Sequence, residues 1–149
     1  MSSDLPRLFL ARHGDTAWTD SRQHTGRTDL PLNERGEERA RQIGERLQRF
    51  SFQRVFTSPL QRASKTCELA GFGAVAQVDP DLVEWDYGRF EGKLTRDIVK
   101  ERPGWELYRD GSLGGESRKT SPPGRTTSSP RCAVSTVTCS RSPAATSSA

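Results

Sequence analysis

The sequence predicts an α/β fold, and three stretches predict it. Leu8-Phe9-Leu10-Ala11 is an apolar strand with large or apolar side chains on both faces, and it runs directly into Arg12-His13-Gly14. Gly36, Ala40, Ile43, Gly44 and Leu47 recur at helical spacing, the pattern of a helix that lays one face on a sheet. A second short strand, Phe52 to Thr57, leads straight into Ser58-Pro59, a helix start. Strands apolar on both faces are covered on both faces, which is the environment of a sheet between helices. Gly14 lets the backbone turn where the first apolar run ends. Arg12 and His13 then stand at the carboxyl end of a central strand, where open α/β sheets bind ligands.

The elements follow in order. Asn33 reads as the N-cap of the first long helix. Its charges Glu34, Glu37, Glu38, Arg39, Arg41, Glu45 and Arg46 read as the solvated side. At Ser58-Pro59 a capping hydroxyl precedes a proline at the first helical position, where no N–H is needed. Arg62 lies in the first turn of that helix, whose free N–H groups and dipole favour an anion. Ala74 to Val78 reads as a third strand ended by Asp79-Pro80, and Thr95 to Glu101 as a short helix before Pro103. Trp105, Leu107 and Tyr108 read as packing under that helix or lining a substrate mouth. From Arg118 the pattern stops: 18 of the last 32 residues are Ser, Thr or Pro. Such a segment has too little apolar surface to offset its ordering entropy, and disorder is the expectation for 118–149.

At 149 residues the chain is one domain, long enough to bury about two-thirds of its unfolded surface. The apolar fraction is only 32%, and the net charge of +4 is uneven. Residues 118–149 hold five basic residues and no acid, which leaves 18 basic and 19 acidic groups in residues 1–117. The basic balance thus belongs to the tail. Five dispersed charges without an aromatic platform argue against nucleic-acid binding. Cys67, Cys132 and Cys139 show neither zinc spacing nor a redox pair, so free thiols in a reducing cytoplasm are expected, with no metal. No basic stretch followed by an apolar run opens the chain, and no run of 18 apolar residues occurs, so a soluble, unexported protein without membrane contact is expected.

Arg12-His13-Gly14-Asp15-Thr16-Ala17-Trp18 resembles the signature of the histidine phosphatase superfamily, which includes the phosphoglycerate mutases. Ser58-Pro59-Leu60-Gln61-Arg62-Ala63 resembles the family's second signature, and Leu82-Val83-Glu84 leading to Gly88-Arg89-Phe90-Glu91-Gly92 its third. Gly114-Gly115-Glu116-Ser117 resembles a later element, so the resemblance spans residues 8 to about 117. It implies a three-layer sandwich with a mostly parallel central sheet, carried by residues 1–117 and incomplete at the C-terminal side.

The resemblance also implies roles. His13 is the nucleophile, Arg12 and Arg62 clamp the phosphoryl oxygens, and Glu84 protonates the leaving oxygen. Thr25-Gly26 matches the loop that touches phosphate through its backbone, and Tyr87 falls at a substrate contact. Thr19 stands where many members carry asparagine. His24 reads first as a surface histidine and second as a specificity contact. Phosphoryl transfer needs positioning and positive charge about a dissociating group, which two arginines supply without cofactor or metal. The same charges disfavour protonated His13.

The chain departs from the family in one respect. The family completes its phosphate pocket with a second histidine on a late strand, whereas this chain has only His13 and His24. Suppose serine in the tail is TCN and arginine CGN, and take codons from the last base of each codon and the first two of the next. Residues after Ser117 then permit an amphipathic helix, a Gly-Asp turn and an apolar strand leading to Gly-His. This implies a frame change near Ser117; the slot before Gly-His cannot be His under that reading. Losing a late strand exposes a strand edge and removes part of the core, so low stability is expected. The function expected is a phosphatase of small phosphorylated metabolites of the sugar-phosphate type. The short stretch from Glu84 to Trp105, poor in basic groups, places mutase-type transfer second. A phosphate-binding remnant without turnover is the non-enzymatic alternative.

Overall fold

The computed structural model describes residues 8–117 and, as backbone, 134–138. In chain order its elements are β1 (Leu8–Arg12), α1 (Ala17–Ser21), α2 (Glu34–Leu47), β2 (Val55–Thr57), α3 (Gln61–Leu69) and β3 (Ala76–Val78), then α4 (Thr95–Glu101), α5 (Leu107–Asp110) and β4 (Val134–Thr138). Two 3₁₀ turns, Pro80–Leu82 and Gly88–Phe90, lie between β3 and α4. The mixture is α/β, and β1 ends at Arg12 as the apolar run predicts.

The strands form two pairs. β2 and β3 are parallel, with Val55 opposite Ala76 and Thr57 opposite Val78. β1 pairs antiparallel with β4, Leu8 opposite Thr138 and Arg12 opposite Val134. β4 also lies beside β2, so it occupies the space between the two earlier strands. This corrects the expectation of disorder for five residues of the tail. Valine and threonine fill four of the five positions, and β-branched side chains suit a pleated strand. The edge of β1 supplies the N–H and C=O groups that such a strand satisfies. The rest of 118–149, with Cys132 and Cys139, lies outside the described residues, as do residues 1–7.

α2 begins where its cap predicts: the Asn33 side-chain oxygen accepts the Gly36 N–H at 2.8 Å. Its buried face is small, Gly36, Ala40 and Gly44. A Cβ at Gly36 would overlap the Asp15 carbonyl oxygen, so α2 touches the turn after β1 backbone to backbone. One charge on the supposedly solvated side has another task. Arg39 Nη1 forms an ion pair with Asp15 Oδ2 at 2.7 Å, beside Arg35 Nε, which donates to the same oxygen at 2.8 Å, and Arg35 also reaches Asp20. Asp15 is buried beside the glycine turn, and its carboxylate draws these two side chains back across α2.

α3 starts two residues later than Ser58-Pro59 suggests, and Ser58 only accepts the Leu60 N–H at 3.3 Å. The first helical N–H, on Gln61, is capped from a distant loop by Asp29 Oδ1 at 2.8 Å. Val55 and Cys67 pack with Phe52, Phe72 and Ala76 between α3 and the β2–β3 pair. A second cluster, Phe90, Ile98 and Trp105, fixes α4 over its preceding turn, and each such buried side chain contributes about 1.5–3 kcal/mol. Residues 112–116 fold back on this unit, with the Glu116 N–H on the Asp86 carbonyl at 2.9 Å and Trp85 Nε1 on Ser112 Oγ at 3.2 Å. Among the described residues, no helix is long and apolar enough to cross a membrane.

Candidate active site

The carboxyl end of β1 delivers Arg12 and His13 to a cleft of about 260 Å³. α1 supplies Thr19 to its wall, the following loop His24 and Thr25, and the segment after β3 Glu84 and Tyr87. Seven of the nine residues expected from the sequence thus share one cleft. Arg62 and Gly26 do not line it; they lie behind it and bond to each other.

His13 is 9% exposed. Its Nδ1 lies 2.7 Å from the Gly14 carbonyl oxygen. A carbonyl can only accept, so Nδ1 carries the proton and Nε2 keeps its lone pair. Burial pushes the imidazole down to about 4, with the Arg62 and Arg12 charges adding to it; the Gly14 bond and Asp15 oppose the shift. At neutral pH His13 is an uncharged base. α3 fixes the turn behind it, because Gly14 N–H donates to Thr66 Oγ1 at 3.0 Å and that hydroxyl donates to the Arg62 carbonyl at 2.7 Å.

Arg62 is fully buried. It donates through Nη1 to the Thr28 carbonyl at 2.9 Å and through Nη2 to the Gly26 carbonyl at 2.6 Å. Its Nε is the one buried side-chain polar atom without a hydrogen-bond partner among the described residues. Burial pulls its proton affinity below the usual guanidinium value, while the carboxylates of Glu84, Asp29 and Glu91 raise it. A buried cation with an idle donor is costly unless something charged completes it.

Glu84 is buried, and its Oε1 accepts the Trp85 N–H at 3.2 Å. Thr19 forms a reciprocal capping box with Thr16: Thr19 N–H to Thr16 Oγ1 at 3.3 Å, Thr16 N–H to Thr19 Oγ1 at 3.1 Å. The hydroxyl at this position therefore shapes α1 as well as the cleft. Thr25 lines the cleft, whereas the Gly26 backbone is already engaged, its N–H with Glu91 Oε2 at 3.2 Å and its carbonyl with Arg62. Gly26 consequently acts on the site through Arg62 rather than by touching the cleft. His24 is half-buried rather than a surface side chain: its ring is 4.7 Å from Tyr87 and 5.8 Å from Trp105, and Nε2 is 3.0 Å from Thr95 Oγ1. Burial lowers its pKa, against the pull of Glu91.

Sequence reasoning missed four residues, of which Gln23 simply lines the cleft. Arg22 lines the cleft from a left-handed backbone position, φ 60°, with no acidic partner among the described residues. Glu91 stands in a quoted motif, yet its bonds to residues 26–28 carry no mark in that motif. Asp29 shows no local pattern at all.

Residues 8–126 match the family model described as Histidine phosphatase superfamily (branch 1). The sedoheptulose 1,7-bisphosphatase of Saccharomyces cerevisiae is 40% identical over 143 residues, covering 78% of this chain and 52% of that protein. The acid phosphatase of Mycobacterium tuberculosis is 39% identical over 113 residues, with 74% and 55% covered. A solved mycobacterial glucosyl-3-phosphoglycerate phosphatase in complex with VO3 superposes with a TM-score of 0.67 at 30% identity, covering 74% of this chain and 58% of that one. The chain thus spans somewhat more than half the length of each of these relatives.

Proposed function

The chain belongs to the histidine phosphatase superfamily, branch 1, and from that premise we propose that it transfers the phosphoryl group of small sugar-phosphate-type metabolites to His13 and then to water. The observation that carries this reading is the pairing of an uncharged, Nδ1-protonated His13 with a buried Arg62 whose Nε has no partner. The sugar-phosphate class rests on the names of the relatives, a bisphosphatase of a sugar and a phosphatase of a glucosyl phosphoglycerate.

In the first step His13 Nε2 attacks phosphorus, the bond from phosphorus to the ester oxygen breaks, and Glu84 gives its proton to the departing alkoxide. Arg12 holds the equatorial oxygens from the cleft wall while charge spreads over them, and Arg62, whose terminal nitrogens are taken by the loop carbonyls, acts from behind through its charge and its unpartnered Nε–H. In the second step Glu84 takes a proton from water as the water oxygen attacks phosphorus, the P–N bond breaks, and phosphate leaves with His13 restored. The reaction belongs to residues 1–117, in a cytoplasmic protein that needs no cofactor. The fold proposed with it is a three-layer sandwich about a mostly parallel sheet, for which the parallel β2–β3 pair is the support.

A second reading, phosphate binding without turnover, is favoured by the histidine count: only His13 and His24 exist in the chain. Release of inorganic phosphate from fructose 6-phosphate and fructose 1,6-bisphosphate by the purified 149-residue chain decides between them. Turnover that disappears in His13→Ala supports the phosphatase. Phosphate binding with no release above the buffer rate supports the remnant.

A further inference from the structure

Residues 26–28 are gripped from opposite sides by opposite charges. The Glu91 carboxylate accepts the Gly26 N–H at 3.2 Å, the Arg27 N–H at 2.9 Å, the Thr28 N–H at 3.3 Å and the Thr28 hydroxyl at 2.7 Å. The carbonyls of Gly26 and Thr28 point the other way and accept from Arg62. The N–H ends of these peptides face an anion and the C=O ends a cation, so both charges favour the same loop orientation. Hydrogen bonds to charged groups are roughly twice as strong as neutral ones. No side chain fits at Gly26, where a Cβ would overlap Glu91 Oε1 and the Trp85 carbonyl.

The base on which Glu91 stands is itself fixed. Its neighbour Phe90 is buried against Trp105, with ring centroids 5.3 Å apart. The Gly92 N–H donates to the His24 carbonyl at 2.9 Å, the His24 N–H to the Lys93 carbonyl at 2.9 Å, and Gln23 Nε2 to the Gly92 carbonyl at 2.6 Å.

We propose that Glu91 is a positioning residue for Arg62: it holds residues 26–28 so that their carbonyls take the two terminal nitrogens of the guanidinium and leave Nε–H for an anionic oxygen of the substrate. This rests on the reading of Arg62 as a phosphate ligand. Glu91 touches no substrate atom in this scheme. Without its carboxylate the three N–H groups lose their acceptor, the loop carbonyls reorient, and the guanidinium is no longer fixed in one pose.

The test is the dissociation constant of inorganic phosphate, measured by calorimetry on the full chain alongside circular dichroism. Glu91→Gln keeps an oxygen but turns an amide N–H₂ toward N–H donors, and is expected to weaken phosphate about tenfold or more with an unchanged spectrum. Glu91→Asp keeps the charge one methylene further back and is expected to fall between, at about threefold. In an Arg62→Gln background neither change has a further effect, because the path runs through Arg62. A purely structural role would lower the melting temperature and leave the phosphate affinity of the folded variant at the wild-type value, and that result overturns the proposal. Equal losses with and without Arg62 overturn it too. If Glu91→Gln does not fold, Glu91→Asp carries the test, and an affinity equal to wild type contradicts the proposal. Wild-type protein that binds no phosphate overturns the reading of Arg62 together with this inference, an outcome distinct from wild-type binding that Glu91→Gln leaves intact.

Discussion

His13 Nδ1 and the Gly14 carbonyl oxygen, 2.7 Å apart, set the tautomer of the one buried histidine at the end of β1. The turn that makes this bond is held on one side by Thr66 of α3 and on the other by the close passage of Gly36 in α2. A nucleophile oriented by its own neighbour's carbonyl needs no carboxylate to fix the ring.

Burial of uncharged His13 makes stability depend on pH. The folded imidazole takes its proton near 4, the unfolded one near 6.5. Between these values the unfolded chain binds more protons, so stability is highest above 6.5 and falls as pH drops towards 4, by roughly 3 kcal/mol from this group. His24 acts in the same direction, so the measurement is the difference between wild type and His13→Gln in urea denaturation at pH 7 and pH 4. The variant is expected to show a shallower fall.

Gly36→Ala reverses the usual sign of a helix substitution. In an open helix the change gains up to about 1 kcal/mol. Here the new Cβ overlaps the Asp15 carbonyl, and a loss of about 2 kcal/mol or more is expected, with Asp15 pushed off Arg35 and Arg39. Thermal unfolding of the variant measures it.

Asp29 caps a helix that is distant in sequence. Asp29→Ala removes the acceptor of the Gln61 N–H and is expected to cost about 1 kcal/mol, while Asp29→Asn retains most of the cap.

The buried Cys67 thiol, pushed up by desolvation, is expected to resist alkylation by iodoacetamide in the native chain and to react once the chain unfolds. Peptide mass mapping with and without urea reads this out.

What the sequence made legible was local. The apolar run to Arg12 and the Asn33 cap each depend on neighbours within a few residues, and both stand where the pattern puts them. The short helix Thr95–Glu101 also has the expected bounds, though Leu94 caps it without a side-chain bond. The gathering of Arg12, His13, Thr25, Glu84 and Tyr87 in one cleft was legible through motif resemblance. What stayed hidden were partners far apart in the chain: Asp29 on Gln61, Arg39 on Asp15, and Glu91 on residues 26–28. A charged side chain in sequence looks the same whether it meets water or a distant backbone, so Arg39 read as solvated and Glu91 as unassigned. The pairing of 134–138 with β1 was hidden for a different reason. Serine, threonine and proline dominate the tail as a whole, and that average conceals five residues of strand-forming sequence.

The most direct test of the central claim is to trap the phosphoryl group. The purified chain is mixed with fructose 1,6-bisphosphate labelled at phosphorus, quenched in alkali, and its peptides are sequenced by mass spectrometry. The account predicts one phosphorylated residue, His13, in a linkage stable to alkali and lost in acid, absent from His13→Ala and reduced in Arg62→Gln. Label on another residue, or phosphate released at an undiminished rate by His13→Ala, would contradict it.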